Sequence, residues 1–170
     1  MTQRWHNRIV GHGDVAPDQL LANPRNWRVH PQHQQDALAG VLDEVGFVQS
    51  VIVNRRSGYV VDGHMRVALA LKHNQPTVPV VYVDLDEAEE AKILATLDPI
   101  AALAAADRDK LDELLREVDT GNPAVMEMLR NLAVDAGVQP PDIDFKEFDE
   151  SVADDVRMHD CPNCGHRFPC

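Results

Sequence analysis

Aromatic side chains are scarce, only 5% of 170 residues: four Phe, two Tyr and two Trp. Val, Leu, Ile and Ala must therefore fill any core, and the chain is long enough for one domain plus an appendage. No apolar run approaches the ~20 residues that a membrane-spanning helix needs, so no membrane partner is expected. The opening stretch MTQRWHNRIVGHGD lacks the apolar segment of a secretory signal, and the expected compartment is the cytoplasm. Cysteine is absent until the last ten residues, which hold all three. An odd number crowded into a short tail does not read as a disulfide framework; in a cytosolic protein it reads as metal ligation.

Positive charge is scarce in the second half. Net charge is -12, but residues 1–75 carry eight Lys/Arg against six Asp/Glu, a net of +2, with six of the eight histidines. Residues 76–170 carry eight against twenty-two, a net of -14. The acidic half repels a phosphate backbone and keeps the chain soluble. DNA would be met through the basic N-terminal half, or through a partner protein.

The patterning predicts a mixed α+β chain. Residues 8–17 hold a short β-prone run. Asn23 to Arg28 is turn-rich, and Pro24 keeps Asn23 out of a helix. Leu38, Val41, Leu42 and Val45 form one apolar helical stripe, with Gly46 as its stop. Val51 to Val53 and Tyr59 to Val61 read as a hairpin around Arg56-Ser57-Gly58. A helix then starts at about His64, followed by the apolar strand Val78 to Val83. Asp86 with Glu89 reads as a capping box, opening a helix expected to end near Leu97, broken by Asp98-Pro99. Two amphipathic helices joined around Gly121-Asn122-Pro123 are expected to pack as a hairpin. Residues 137–156 are Pro- and acid-rich and read as a linker.

Most informative is Asp62-Gly63-His64-Met65-Arg66. A strand ends, Gly turns the corner without a Cβ, and a helix begins. The first amides of that helix have no internal partner and, with the helix dipole, make an anion site. His64 and Arg66 lie in the first turn and can donate to the same anion, Arg66 through a fork matched to phosphate oxygens. Asp62 either holds His64 or Arg66 in place or binds a metal that bridges phosphates. The alternative is a surface loop in which His and Arg happen to follow Gly. Asn23, Arg25, Arg28 and His30 form a second polar cluster: Arg25 and Arg28 either add to the pocket or are turn residues, with Trp27 a core anchor. Gln49 could bond a base or ribose, or be a solvated loop residue. Asp43 and Glu44 could supply a general base, although an exposed helix face explains them better.

The order NPRNWRVHP, GFVQSVIVN, GYVVDGHMRVALAL and VPVVYVDLDEAEE resembles the ParB/sulfiredoxin superfamily over about residues 8–105, and within it the ParB-like nuclease domains of phages and prophages, found alone or fused to DNA methyltransferases. That resemblance implies a ParB/sulfiredoxin-like domain with a small mixed sheet at 1–105; the patterning beyond it adds a helical extension at 106–136, the acidic linker at 137–156 and a metal-binding tail at 157–170. It also implies a nucleotide-phosphate site: partitioning ParB proteins carry Gly-Glu-Arg-Arg here for CTP, sulfiredoxin Gly-Cys-His-Arg for ATP, and a free-serine kinase Asp-Gly-His-His-Arg. Met65 excludes the sulfiredoxin cysteine. Glu-Arg-Arg and a following helix-turn-helix are missing, and Ser50 stands where relatives carry Pro.

The expected pocket is Asp62, Gly63, His64 and Arg66, assisted by Arg25, Arg28 and Gln49, taking ATP or CTP with Mg2+. His64, Arg66 and Asp62 would carry any phosphoryl chemistry. The expected function is a DNA-associated ParB-like protein that binds a nucleoside triphosphate, with its hydrolysis left open, in a phage or prophage DNA-processing or modification context. The alternatives are a small-molecule kinase of the free-serine type, and a non-enzymatic adaptor of a DNA-methyltransferase system. Nuclease activity is suggested only by the family's habitual name, since no acidic cluster assembles a two-metal site. Partners are a nucleotide, DNA and a second copy in a homodimer. In the tail, Cys161 and Cys164 in a CPxCG turn read as a zinc knuckle, with Cys170 as a third ligand and His166 or His159 as a fourth.

Overall fold

The computed structural model describes residues 4–138, 158–160 and 167–169. The linker beyond Val138 and the ligands expected at Cys161, Cys164, His166 and Cys170 lie outside these residues. Residues 1–140 form one compact unit and 141–170 a second.

The first unit is built on four strands: β1 (Ile9–Val15), β2 (Val51–Asn54), β3 (Val60–Asp62) and β4 (Val78–Val83), in the order β1-β4-β2-β3. β4 runs antiparallel to β1 and parallel to β2, while β2 and β3 form the expected antiparallel hairpin. The sheet is therefore mixed. Valine fills its centre, as the shortage of aromatics requires: Val51, Val60, Val61, Val78 and Val80 are fully buried. β-Branched side chains suit a pleated surface packed by helices.

Helix α1 (Gln32–Glu44) carries Leu38, Val41 and Leu42 of the expected stripe, while Val45 falls at its C-cap and is 67% exposed, and α2 (His64–Lys72) starts where expected. Val67 and Ala70 of α2 pack with Val51, Val53, Val60, Val78 and Val80, and Phe47, Leu20 and Tyr82 close the cluster. α3 (Glu87–Ala102) opens with the complete capping box: Asp86 accepts from the Glu89 amide and Glu89 from the Asp86 amide. It does not end at Asp98-Pro99. Pro99 lies inside the helix, which continues to Ala102. Proline deletes one amide donor near the end of the helix. On its N-terminal side, Trp27 donates its indole N–H to the Leu94 carbonyl (3.1 Å) and Arg28 pairs with Asp98, so side chains from outside hold the helix where the proline weakens it. Trp27 itself is 59% exposed, so it is a clasp on α3 and not a core anchor.

α4 (Arg108–Glu117) and α5 (Pro123–Ala136) share a small core of Leu115, Ala133 and Val138. The joint between them is fixed to α1. Glu44 accepts from the Thr120 hydroxyl (2.8 Å) and from the Gly121 and Asn122 amides (3.1 Å each). Its carboxylate thus serves a helix joint. No helix among the described residues is long and apolar enough to cross a membrane. In the second unit, β5 (Met158–Asp160) and β6 (Arg167–Pro169) pair antiparallel.

A buried carboxylate ties α3 to the sheet. Glu90 is 7% exposed and accepts from Asn23 Nδ2 (2.9 Å), Asn54 Nδ2 (2.5 Å) and Ser57 Oγ (2.5 Å). Burial alone would raise its pKa. The bonds from Ser57, Asn54 and Asn23, with the charge of Arg25, outweigh burial and hold it below the ordinary carboxylate value. A depressed folded pKa contributes stability above the unfolded value, and that stability is lost as pH falls through the folded one. All three partners donate, so an amide at this position must turn its NH2 on at least one of them. Glu90→Gln is expected to cost about 1–3 kcal/mol at pH 7, with the gap to wild type narrowing by pH 3. Urea unfolding at both values checks this, and a gap independent of pH would contradict it.

Candidate functional site

β3 delivers Asp62, Gly63 turns, and α2 begins at His64. Gly63 has φ +92° and ψ 18°, left-handed geometry that glycine adopts without strain. A Cβ there would sit 3.1 Å from Val51 Cγ2 and 3.2 Å from the Arg66 guanidinium. Gly63 is also the N-cap, so no side chain caps the helix, and the first intrahelical bond runs from the Val67 amide to the Gly63 carbonyl. The amides of His64, Met65 and Arg66 have no hydrogen-bond partner among the described residues.

Asp62, 7% exposed, lies between two guanidinium groups. Its Oδ2 accepts from Arg66 Nη2 at 2.7 Å and its Oδ1 is 3.6 Å from Arg28 Nη1. Arg66 also donates to Gln49 Oε1 (3.0 Å), with a longer contact to the Ser50 carbonyl (3.5 Å). Arg28 pairs with Asp98 and stacks near its neighbour Trp27, 6.0 Å from the ring centroid. Both arginine side chains are close to nine-tenths buried, yet Arg28 Nε, Arg28 Nη2 and Arg66 Nε have no hydrogen-bond partner among the described residues. Unmet buried donors of this kind are uncommon in folded proteins and point to a missing acceptor.

These groups line a hollow of about 400 Å³ with His30, Gln34, Leu38, Leu97 and Ala101. Its floor is the start of α2, and its walls come from α1, the Arg28–His30 segment and the end of α3. Asp62, Gly63, His64, Arg66, Arg28 and Gln49 all belong to it. Arg25 does not. It lines a separate hollow of about 460 Å³ with Asn54, Ser57 and Glu90. Asp43 lines a small hollow of about 150 Å³ between α1 and α2.

His64 takes a different part from the one its position suggests. Its Nε2 accepts from the Asn23 amide at 3.3 Å. Burial, then the charge of Arg28, lowers its pKa, with Asp62 opposing them. The ring is therefore neutral at neutral pH, with its proton on Nδ1, and it braces the Asn23 turn. The positive charge facing the hollow comes from Arg28 and Arg66. Asp62 faces arginines on both oxygens, which makes it a poor cation ligand. Among the described residues no group of three or more His, Cys, Asp or Glu side chains is placed to hold a metal. Asp98 and Gln34 are members that the sequence did not reveal. The Asp98 partner is 70 residues away, and nothing local marks that pairing.

No family model and no curated protein sequence matches the chain. Solved structures do. The C-terminally truncated chromosome-partitioning protein ParB from Caulobacter crescentus, complexed with CTP-γ-S, is 21% identical and covers 73% of this chain and 79% of its own, with a TM-score of 0.52. The fold is that of a ParB N-terminal domain. Two structures of Pnob8-like ParB N-domains are also similar. One is 16% identical (TM-score 0.45) over 79% of this chain and 67% of its own; the other is 12% identical (0.48) over 98% and 56%. In this ParB-N fold the glycine turn closes the β2–β3 hairpin onto α2 and so sets the floor of the hollow.

The positive φ of Gly63 and the proximity of Val51 make a direct test. Gly63→Ala is expected to cost about 1–3 kcal/mol of unfolding free energy, read by chemical denaturation. An unchanged midpoint would show that the turn relaxes freely.

Proposed function

We propose that the chain binds a nucleoside triphosphate, ATP or CTP, through its phosphates at Arg28, Arg66 and the uncapped first turn of α2, as a DNA-associated ParB-like protein of the phage and prophage type. The observation that carries this reading is the pair of buried arginines with unmet N–H donors beside free helix amides in one hollow. Guanidinium forks and helix N-termini both select phosphate oxygens. The ParB of similar fold was solved with a CTP analogue, which supports CTP as the first nucleotide to try. Gln49 and Gln34 line the hollow and offer amides for the remainder of the nucleotide.

Binding is the step that the site supports. Hydrolysis or transfer needs a group to position or deprotonate a nucleophile. His64 accepts from Asn23, His30 Nδ1 is paired with Gln34 Oε1 at 3.0 Å, and Asp62 is held by arginine. Mg2+ would reach the site on the phosphates, with water and phosphate oxygens as its ligands. DNA contact falls to the basic first half or to a partner. Binding without turnover also agrees with an adaptor role in a DNA-modification system.

Calorimetric titration with ATP, CTP and GTP in Mg2+ tests the site. Loss of the Arg66 fork is expected to weaken binding about 10- to 100-fold, the equivalent of one charge-assisted phosphate contact. Arg66→Ala removes the charge, and Arg66→Lys keeps it without the fork. Binding unaffected in both folded variants would move the phosphates elsewhere.

For the tail we infer a zinc knuckle at Cys161 and Cys164, with Cys170 and His166 completing the ligand set. In support, β5 and β6 pair Asp160 with Arg167, the residues just outside the Cys161–His166 segment. Three thiolates and one imidazole suit Zn2+. The purified protein is expected to carry one equivalent of zinc by elemental analysis, lost in the double variant Cys161→Ser, Cys164→Ser; equal zinc in both would refute the assignment.

A further inference from the structure

We propose that Asp98 is a built-in competitor for the anion that the hollow binds: it holds Arg28 Nη1, so a phosphate takes the whole guanidinium only by displacing it. This inference rests on the phosphate-binding reading and concerns the regulation of that same site. Asp98 is the nearer anion to Arg28, since Asp62 Oδ1 stands 3.6 Å away and the other Asp62 oxygen is held by Arg66. The two partners differ in depth: the Arg28 side chain is 13% exposed and that of Asp98 is 47%. The carboxylate thus sits at the mouth, with the guanidinium behind it, and both line the hollow.

Charge makes the contact consequential. Arg28 and Arg66 contribute two positive charges to the hollow, and Asp62 and Asp98 two negative ones, while His64 is neutral. With Asp98 in place these four side chains present an incoming phosphate with no net charge. With Asp98 swung into solvent the same hollow carries one unit of positive charge and a freed guanidinium edge. A triphosphate brings more charge than a carboxylate and can fit the fork with two oxygens, so it wins the exchange; a monoanion gains little by it. Asp98 accordingly raises the threshold for binding and biases the site toward multiply charged phosphates.

The backbone around Asp98 can yield. Pro99 supplies no amide donor, so α3 lacks one of its rungs there. Beyond it, Ile100 and Leu103 are 64% and 83% exposed, so little buried apolar surface resists a shift of the last turn. On release the half-exposed Asp98 carboxylate regains water, while the buried Arg28 guanidinium takes the incoming phosphate in its place.

The test is calorimetric titration of wild type, Asp98→Asn and Asp98→Ala with CTP and ATP, each with Mg2+ and again in EDTA, after thermal unfolding has shown that all three are folded. Both variants are expected to bind the preferred nucleotide about three- to tenfold more tightly than wild type, with or without metal. They should also gain measurable affinity for inorganic phosphate. Equal or weaker binding by both variants, with wild type binding normally, overturns the competitor role and leaves the phosphate site standing. Weaker binding only in Mg2+ overturns it as well, making Asp98 a metal ligand. No binding by any of the three overturns the phosphate reading itself.

Discussion

One buried carboxylate lets two arginines sit side by side. Burying a guanidinium is costly, and burying two beside one another adds repulsion. Asp62 meets both demands because it ends a strand at the bottom of the hollow and faces each arginine with a different oxygen. Arg66 reaches it from one helical turn on, and Arg28 from a segment far away in sequence. Removing the acid would leave like charges face to face at low dielectric, where attraction and repulsion are both enlarged. The hairpin, the glycine corner, the first turn of α2 and the turn-rich segment before α1 are assembled around this triad.

A second, more deeply satisfied acid works behind it. Glu90 gathers Asn23, Asn54 and Ser57, and Asn23 in turn donates its backbone amide to His64. The imidazole at the head of α2 is thereby connected to α3 through two hydrogen-bonded residues. The two networks differ in completeness. The Glu90 network is met by donors on every side, as a structural element requires. The Asp62 triad leaves donors unmet beside its hollow.

Local features were legible in the sequence. The apolar stripe of α1, the β2–β3 hairpin, the capping box at Asp86 and the strand–glycine–helix corner each follow from residues within a few positions of one another. The features that escaped are those in which distant segments decide. Pro99 reads as a helix breaker because local rules say so, yet Trp27 and Arg28 reach α3 from some seventy residues earlier in the chain and hold it. Arg25 and Arg28 look equivalent in one short segment, but the turn sends them to different hollows. The bond that His64 accepts comes from the Asn23 amide, 41 residues earlier, which nothing near His64 announces. Asp98 looks structural until its partner is known.

The contact between α1 and α5 gives the hollow a mechanical neighbour. A Cβ on Gly40 would fall 2.5 Å from Asn122 Cγ, and the Asn122 Oδ1 is the cap of α5, accepting from the Ala124 and Val125 amides. At this point α1 is keyed to the helical pair with no clearance. A few residues further on, Glu44 clamps the same joint. In the opposite direction α1 carries Leu38 and Gln34 into the wall of the hollow. Thirteen helical residues behave as a rod of about 20 Å, so a tilt at the clamped end reappears as a displacement at the wall. Movement of the helical pair is thus felt at the wall of the hollow without any contact there.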